Sequence, residues 1–382
     1  MTPPPLSLYV HLPWCVRKCP YCDFNSHSAG ANPPRARYID ALISDLERES
    51  LQAGRRPLES VFLGGGTPSL FRPEEIGKLL DAVDRSLGLP ASVEVTLEAN
   101  PGTIEHGAFS GYRAAGVNRV SLGAQSFDAE MLQRLGRVHG VEDIGNAFRE
   151  ARDAGFERIN LDLMFALPGQ DVAMALQDLD CAIELRPDHI SWYQLTLEPN
   201  TVFHSRPPAN LPNEELAWDI QAAGQSRLQE AGFAQYEVSA YARPGQQARH
   251  NLNYWRFGDY LAIGAGAHGK LTDAAGHIRR YAKTAHPLSY IKVIETGEAP
   301  VTPERVSEDD VIFEFMLNAL RLVEGFTESL FESRTGLPAS RVSGRLQQAA
   351  ARGLLERHGA GEWRPTGLGR QFLNDLQGLF LP

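Results

Sequence analysis

The sequence predicts an α/β fold, a partial (β/α)6 barrel, followed by a mostly helical C-terminal domain of winged-helix type. Two observations favour this fold. The first 200 residues alternate short β-rich runs with amphipathic helical stretches, which is the pattern of a parallel sheet covered by helices. Polar residues and glycines also follow one predicted strand after another, and in a barrel these strand ends meet at one rim.

The composition is that of a globular protein with room for two domains. The chain has 382 residues, of which 43% are hydrophobic and 22% are charged. Its net charge of -10 argues against binding to nucleic acid or to anionic lipid. The N-terminal residues lack the features of a secretory signal, and the sequence has no run of 18 apolar residues. We therefore expect a cytoplasmic protein without an integral membrane segment.

Six strands and six helices are predicted in alternation. The predicted strands are Leu6–Trp14, Ser60–Leu63, Val93–Leu97, Arg119–Gly123, Arg158–Phe165 and His189–Leu197. The predicted helices are Ala36–Ala53, Pro73–Ser86, Ile104–Ala115, Val141–Ala154, Val172–Leu185 and Glu214–Ala231. Several strands are nearly continuous apolar runs, as expected when helices or other layers cover both faces of a sheet. These units predict a first domain over residues 1–240.

Residues with functional side chains or flexible backbones cluster just past these strands. They are Cys15, Gly64–Gly66, Glu98 with Asn100, Gln125, Asp162 and Thr196. Because barrel enzymes place their chemistry at the carboxyl ends of their strands, one pocket could use all of these residues.

Two further segments follow the barrel. Residues 241–300 have many aromatics and glycines but weak periodicity, which indicates a loop-rich covering segment. Residues 301–382 predict helices, a short hairpin over His358–Pro365 and a final helix, an order that resembles a winged helix. This part has nine arginines, no lysine and eleven acidic residues, so its wing is expected to serve packing or protein contact rather than DNA binding.

Three cysteines, Cys15, Cys19 and Cys22, lie on one short loop at C-x3-C-x2-C spacing. In a reducing cytosol such a group indicates metal binding rather than disulfides. One alternative is a structural zinc site, with His11 or His27 as the fourth ligand. No second C-x2-C pair follows, however, and the loop ends a barrel strand. The spacing favours a cubane iron–sulfur cluster with one iron left open.

With an aromatic residue before the last cysteine and the sequence GGGTP at residues 64–68, this loop resembles that of the radical S-adenosylmethionine (SAM) superfamily. The resemblance implies a 4Fe–4S cluster whose open iron binds SAM. Glycines at this turn suit that function, because they let the backbone approach a ligand closely.

A narrower resemblance covers nearly the whole chain. The segments YVHLPWC, LEANP, SLGAQSFD, LGRVH and NLDLMFALPGQ occur in the order found in oxygen-independent coproporphyrinogen III oxidases and in the HemW-type heme chaperones. The resemblance implies a set of cofactor-binding residues that contact SAM: Tyr9, Tyr21, Gly65, Gly66, Thr67, Glu98, Gln125, Arg137 and Asp162. Carboxylates can accept from ribose hydroxyls and an arginine can pair with a carboxylate, so these residue types suit the nucleotide.

Three features separate the two groups. The oxidases have a further cysteine two residues after the third cluster cysteine, where this chain has Phe24. They also have a longer N-terminal extension. Finally, HNLNYW at residues 250–255 resembles a signature of the chaperones, and it makes His250 a candidate axial ligand of heme iron. The alternative for His250 is a hydrogen-bonded core histidine beside aromatic side chains.

The predicted function is therefore that of a heme chaperone, which carries a 4Fe–4S cluster and SAM, binds heme and transfers it to apo-hemoproteins. No coproporphyrinogen oxidase activity is expected, and no catalytic residue is assigned. The alternative is an oxygen-independent coproporphyrinogen III oxidase, in which a SAM-derived radical starts the oxidative decarboxylation of propionate side chains. A regulatory module acting through the wing is a third function, which the acidic composition disfavours. The sequence leaves open whether the chain forms a homodimer.

Overall fold

One mixed sheet accounts for most of the strands in the computed structural model, which describes residues 3–54, 56–103, 108–298 and 304–382. The strands are β1 (Leu6–Leu12), β2 (Trp14–Cys15), β3 (His27–Ser28), β4 (Leu58–Gly65), β5 (Glu94–Ala99), β6 (Arg119–Gln125), β7 (Arg158–Phe165), β8 (His189–Gln194), β9 (Ala234–Glu237), β10 (Ala240–Ala242), β11 (Asp259–Ile263), β12 (His268–Thr272), β13 (Ile278–Ala282), β14 (Glu304–Arg305), β15 (Phe326–Thr327), β16 (Leu355–Arg357) and β17 (Glu362–Pro365).

Helices cover this sheet and build the C-terminal part. They are α1 (Arg35–Ala53), α2 (Pro73–Leu87), α3 (Ala108–Ala114), α4 (Ala129–Arg134), α5 (Val141–Asp153), α6 (Val172–Glu184), α7 (Val202–Ser205), α8 (Glu214–Glu230), α9 (Arg249–Trp255), α10 (Pro287–Thr296), α11 (Glu308–Ala319), α12 (Glu328–Thr335), α13 (Ser343–Ala351), α14 (Gly367–Gln371) and α15 (Leu373–Gly378). Short 3-10 turns lie at Pro68–Leu70, Pro101–Thr103 and Ala339–Arg341.

The six predicted βα units are present. Strands β1, β4, β5, β6, β7 and β8 lie side by side in this order, and each pairs in parallel with the next. Strand β1 is buried at every position except Tyr9, which is partly buried, as its apolar sequence predicts for a strand covered on both faces. The first four residues of the predicted helix Ile104–Ala115 lie outside the described residues, and α3 occupies Ala108–Ala114.

Residues 241–300 differ from the expected loop-rich cover. Strand β11 pairs in parallel with the free edge of β1, and β12, β13 and β14 continue the sheet in antiparallel order. These strands are short, and glycines with positive φ, Gly264 (105°) and Gly266 (75°), make the turn between β11 and β12. Runs of five residues broken by glycines carry little periodicity, which is why the sequence pattern indicated loops.

The C-terminal part confirms the winged-helix expectation. Helix α11, strand β15, helices α12 and α13, and the hairpin of β16 and β17 follow in order, and β17 is the central strand of their small sheet. The hairpin begins at Leu355, three residues before its predicted start. Phe315, Phe331 and Trp363 lie in a separate hydrophobic core, and Phe257 joins this core from the barrel side. The boundary predicted between residues 300 and 301 lies outside the described residues. Among the described helices, none has the length and apolar character needed to cross a membrane.

Helix α8 packs so closely against β8 that Gly224 has no room for a side chain. A Cβ atom at Gly224 would lie 2.0 Å from the ring of Trp192, whereas a Cβ atom at Gly344 in α13 would meet nothing within 4 Å. We expect Gly224→Ala to lower the free energy of unfolding by about 1–3 kcal/mol through overpacking. Gly344→Ala should raise it by up to about 1 kcal/mol, because alanine is the better helix former. Urea denaturation of both variants measures the difference, and equal effects at the two sites would contradict the packing described for α8.

Candidate functional site

The carboxyl ends of the parallel strands surround a cavity of about 420 Å³. This is the rim predicted from the polar residues that follow the strands. Most of the predicted site residues line the cavity: Cys15, Cys19, Cys22, Tyr21, Gly65, Gly66, Thr67, Glu98, Gln125, Arg137 and Asp162. Asn100 and Thr196 line it as well. Tyr9 and His250 are absent from its lining, and the structure places them elsewhere.

The three cysteines lie on a loop that closes on itself. Strands β2 and β3 pair in parallel, with Trp14 opposite His27, and so hold the two ends of the loop together. Within the loop, the amide of Cys22 donates to the carbonyl of Cys19 at 3.2 Å. The guanidinium of Arg137 lies 3.6 Å from the Sγ atom of Cys19. All three cysteines line one cavity, and the side chain of Arg137 lines it as well.

A closed zinc site does not fit these contacts. Both ring nitrogens of His11 are engaged: Nε2 donates to the carbonyl of Asn25 at 2.9 Å, so Nδ1 accepts from the Tyr9 hydroxyl at 2.8 Å. The Nε2 atom of His27 lies 3.1 Å from Oδ1 of Asn25. In the described part of the chain, there is no group of three or more cysteine, histidine or acidic side chains placed to hold a single metal ion. The three cysteines instead line the cavity of about 420 Å³.

The glycine turn after β4 packs directly on the chain that enters the cysteine loop. The amide of Gly66 donates to the carbonyl of Leu12 at 2.8 Å, and the amide of Thr67 donates to that of Trp14 at 2.8 Å. A Cβ atom at Gly66 would lie 2.7 Å from the backbone of Pro13. At Gly65, whose φ is 111°, it would lie 2.5 Å from the His11 ring. Only glycine allows this approach.

Two carboxyl groups, each on a partly buried residue, line the cavity. An oxygen of Glu98 accepts from the amide of Gly65 at 3.1 Å. Asp162 accepts from the hydroxyl of Ser121 and from the amide of Asn160, each at 2.8 Å. Burial, and then the nearby charge of Asp162, raise the pKa of Glu98 to about 8. Burial also raises the pKa of Asp162. Because burial disfavours the charged form of both carboxyl groups, hydrogen-bonding partners such as hydroxyls suit them in this cavity.

A third group of side chains lies between β6 and the cysteine loop. Gln125 has a positive φ of 68° just after a register shift in the pairing of β6 with β7, and its Oε1 atom accepts from the hydroxyl of Tyr193 at 2.8 Å. Arg137 donates to the carbonyl of Gly123 at 3.0 Å. Its Nε atom is buried and has no hydrogen-bond partner in the described structure. An unpartnered donor in a cavity is costly, and a ligand carboxylate would satisfy it.

Several residues of the cavity were missed by sequence reasoning. Ser121, Met164, Tyr193 and Gln194 line it beside the predicted residues. Tyr193 and Gln194 lie at the end of β8, so their position past a predicted strand was the available signal. Ser121 and Met164 lie within strands, and only the alternation of side chains along those strands could have indicated them.

Tyr9 lies behind the glycine turn. Its hydroxyl holds His11, and its ring stacks on Phe62 at a centroid distance of 6.1 Å. Burial raises its pKa. The structure therefore gives Tyr9 a supporting contact to His11, and the SAM contact stays a prediction.

His250 lies at the opposite end of the barrel from the cysteines. It belongs to α9, and its Nδ1 atom donates to Glu94, the first residue of β5, at 3.1 Å. Its ring packs on Phe62 at a centroid distance of 4.2 Å, and the residue is only 7% exposed. Burial lowers the pKa of His250, so the ring is neutral near pH 7. This is the environment of the hydrogen-bonded core histidine that was the alternative to a heme ligand.

The two aromatic residues of HNLNYW also make internal contacts. Tyr254 packs edge-on against Tyr260, and Trp255 lies under the guanidinium of Arg321 at 4.3 Å. The segment joins the amino end of the barrel to α11 and the residues after it. The structure does not bring it to the cavity.

Comparisons with known proteins agree with this geometry. Residues 9–182 match the model of the radical SAM superfamily, and residues 306–372 match that of the HemN C-terminal domain. The chain is 49% identical over 384 residues to the heme chaperone HemW of Haemophilus influenzae, covering 99% of this chain and 98% of that protein. It is 48% identical to heme chaperone HemW of Escherichia coli, with the same coverage. The chain belongs to the HemW family.

The structure of coproporphyrinogen III oxidase HemN from Escherichia coli, described as a radical SAM enzyme, is also similar to this HemW-family chain. The TM-score is 0.83 at 26% sequence identity, and the match covers 99% of this chain and 90% of that chain. The fold prediction is thereby confirmed over the whole length, including the C-terminal domain.

Membership of the radical SAM superfamily implies a 4Fe–4S cluster and SAM. The cavity of this HemW-family chain fits both. Cys15, Cys19 and Cys22 offer three thiolates, which leaves one iron open, and Arg137 has a buried donor without a partner. Gly65 and Gly66 also line the cavity, so their backbone is next to the space that a nucleotide would take. A bound cluster would supply an electron. Its open iron would coordinate the amino and carboxylate groups of SAM.

The contact between the glycine turn and Pro13 generates a prediction about the cofactors. We expect Gly66→Ala to lower the affinity for SAM by roughly tenfold or more, because the added methyl group displaces the chain leading to Cys15. Equilibrium dialysis of the anaerobically reconstituted protein, with iron analysis, measures this. Gly344→Ala is the matched control, since its Cβ atom meets nothing within 4 Å. Unchanged SAM affinity in Gly66→Ala would contradict a dependence of the cofactor pocket on the contact between the turn and Pro13.

The charges at the amino end of the barrel generate a prediction about stability. Burial acts to raise the pKa of Glu94, but His250, Arg119 and Arg158 together lower it from 4.5 to about 2. A carboxyl whose folded-state pKa is lowered stabilises the fold above pH 4.5, and this contribution is lost as the pH falls toward 2. We expect Glu94→Gln to cost about 3–5 kcal/mol at pH 7, because it leaves buried cations uncompensated.

The difference in free energy of unfolding between the wild-type protein and Glu94→Gln should become smaller as the pH falls from 4.5 toward 2. Urea denaturation at a series of pH values measures this difference. Glu295→Gln serves as the control, because Glu295 forms an exposed pair with Arg37 at 2.5 Å and should leave the free energy of unfolding nearly unchanged. Equal effects of the two substitutions would contradict a buried ionic network around Glu94.

Proposed function

We propose that this protein is a heme chaperone, which binds heme and hands it to apo-hemoproteins while it carries a 4Fe–4S cluster and SAM. The observation that carries the proposal is a complete cofactor cavity, with its three cysteines, in a chain that is 49% identical to the heme chaperone HemW of Haemophilus influenzae over 99% of its length.

In this proposal each part of the rim has a task. Cys15, Cys19 and Cys22 hold the cluster, and Arg137 donates to a carboxylate of the bound nucleotide. Glu98 and Asp162 accept from its hydroxyl groups, and Gly65, Gly66 and Thr67 give it backbone contacts. Tyr21 and Gln125 close the sides of the cavity, since both line it. These tasks match the chemistry of each side chain.

The alternative, an oxygen-independent coproporphyrinogen III oxidase, has the structural similarity to HemN in its favour. Phe24 argues against the oxidase function. This residue lines the cavity and is 58% exposed, at the position where the oxidases have a further cysteine. A phenyl ring can pack against a ligand but cannot bind a metal or transfer a proton.

The chaperone and oxidase functions are separated by one pair of assays. We expect the anaerobically reconstituted protein to bind heme and to pass it to an apo-hemoprotein, with no protoporphyrinogen formed from coproporphyrinogen III in the presence of SAM and a reductant. Absorption spectra follow the heme, and chromatography follows the tetrapyrroles. A variant with Cys15, Cys19 and Cys22 all changed to Ala shows which steps need the cluster. Sustained oxidase turnover, or no heme binding by the wild-type protein, would contradict the proposal.

A further inference from the structure

A small exposed surface lies on the cysteine loop and on the chain before helix α10. We define it by Lys18, Phe24, His27 and His286 and refer to it as the Phe24 patch. Lys18, Phe24 and His286 are exposed, and His27 is partly buried. The first three residues belong to the cysteine loop and the strand after it, and His286 directly precedes helix α10.

Several contacts hold the members of the patch together. The ammonium group of Lys18 donates to the carbonyl of Phe24 at 2.9 Å. The side-chain amide of Asn25 donates to the carbonyl of Ala285 at 2.8 Å, which ties the cysteine loop to the chain before α10. The rings of His27 and His286 pack edge to face at a centroid distance of 5.5 Å. The patch is therefore one surface, although its residues are far apart in sequence.

The two histidines differ in what their nitrogens can do. His27 is engaged by Oδ1 of Asn25 at 3.1 Å and by the backbone of Ala285. Within the described residues, no hydrogen bond engages the ring of His286, and its only ring contact is the one with His27. Burial, and then the proximity of His286 and Lys18, lower the pKa of His27. His286 therefore has a nitrogen free for a metal ion, and the His27 ring packs against it.

We propose that heme binds on the Phe24 patch, with His286 as the ligand of its iron, the Phe24 ring against the porphyrin face, and Lys18 paired with a propionate. This inference rests on the proposed chaperone function and adds the location of the cargo. The combination is specific: an exposed aromatic ring offers stacking, an ammonium group pairs with a carboxylate, and a free imidazole ligates iron.

The position of the patch suits cargo that must be handed on. Phe24 is 58% exposed, and Leu288, two residues after His286, is 53% exposed, so a bound heme stays within reach of an acceptor. His250 offers no such access, because it is 7% exposed and paired with Glu94. Heme could reach it only after this buried pair had separated. Phe24 also lines the cofactor cavity, which places the heme beside the cluster loop.

The test uses the anaerobically reconstituted full-length protein and ferric heme itself. Heme is titrated into the wild-type protein and into His286→Ala, Lys18→Gln and His358→Ala, and the Soret band and the affinity are recorded. We expect His286→Ala to lose the imidazole-ligated Soret band and roughly tenfold or more in affinity, and added imidazole to restore the band. Lys18→Gln should weaken binding without shifting the band. His358, an exposed histidine on the distant wing hairpin, is the matched control and should behave as the wild type.

Each other outcome has a definite meaning. If His286→Ala binds heme with the wild-type band and affinity, the patch is not the heme site, while the chaperone function stands. If His250→Ala shifts the band and His286→Ala does not, another histidine is the ligand and the inference is overturned. If the wild-type protein binds no heme, the proposed function itself fails. Cluster absorbance and circular dichroism of each variant identify any substitution that acts by disturbing the fold.

Discussion

The site depends on the direct backbone contact between the glycine turn after β4 and the chain that enters the cysteine loop. The amides of Gly66 and Thr67 donate to the carbonyls of Leu12 and Trp14, each at 2.8 Å, so two segments separated by some fifty residues become one wall of the cavity. His11 fills the space beneath Gly65 and holds Asn25. The positions of the three thiols relative to the nucleotide pocket thus follow from main-chain hydrogen bonds, which do not vary with side-chain rotamers.

The polar groups at the two ends of the barrel differ in how far they are paired within the protein. At the amino end, Glu94 accepts a hydrogen bond from the neutral ring of His250 at 3.1 Å, and its charge is paired with Arg158 at 3.0 Å, so these contacts make that end a structural base. At the carboxyl end, burial raises the pKa of both Glu98 and Asp162, and the Nε atom of Arg137 lacks a partner in the described structure. Groups left in such a state stabilise little by themselves and become favourable when a ligand completes their hydrogen bonds.

Much of the fold and many residues of the cavity were predictable from the sequence. The predictions that were wrong or missing have physical causes. Nearly continuous apolar runs such as Leu6–Leu12 identified barrel strands, because both of their faces are buried. The end of the predicted strand Val93–Leu97 identified Glu98 without knowledge of the fold, whereas Asp162 lies within β7 and was found through the family resemblance. Strand β11 was missed because five residues between glycines carry too little periodicity. The location of His250 could not be predicted, since a motif gives residue types but not the end of the barrel on which they lie.

The central claim is that three thiolates in this cavity hold a 4Fe–4S cluster with one iron open to SAM. Mössbauer spectroscopy of iron-57-reconstituted protein, recorded with and without SAM, tests it most directly. We expect one iron of the cluster to change its isomer shift when SAM is added, while the irons held by thiolates keep theirs. A spectrum that SAM leaves unchanged, or a preparation that contains zinc in place of iron, would contradict the account.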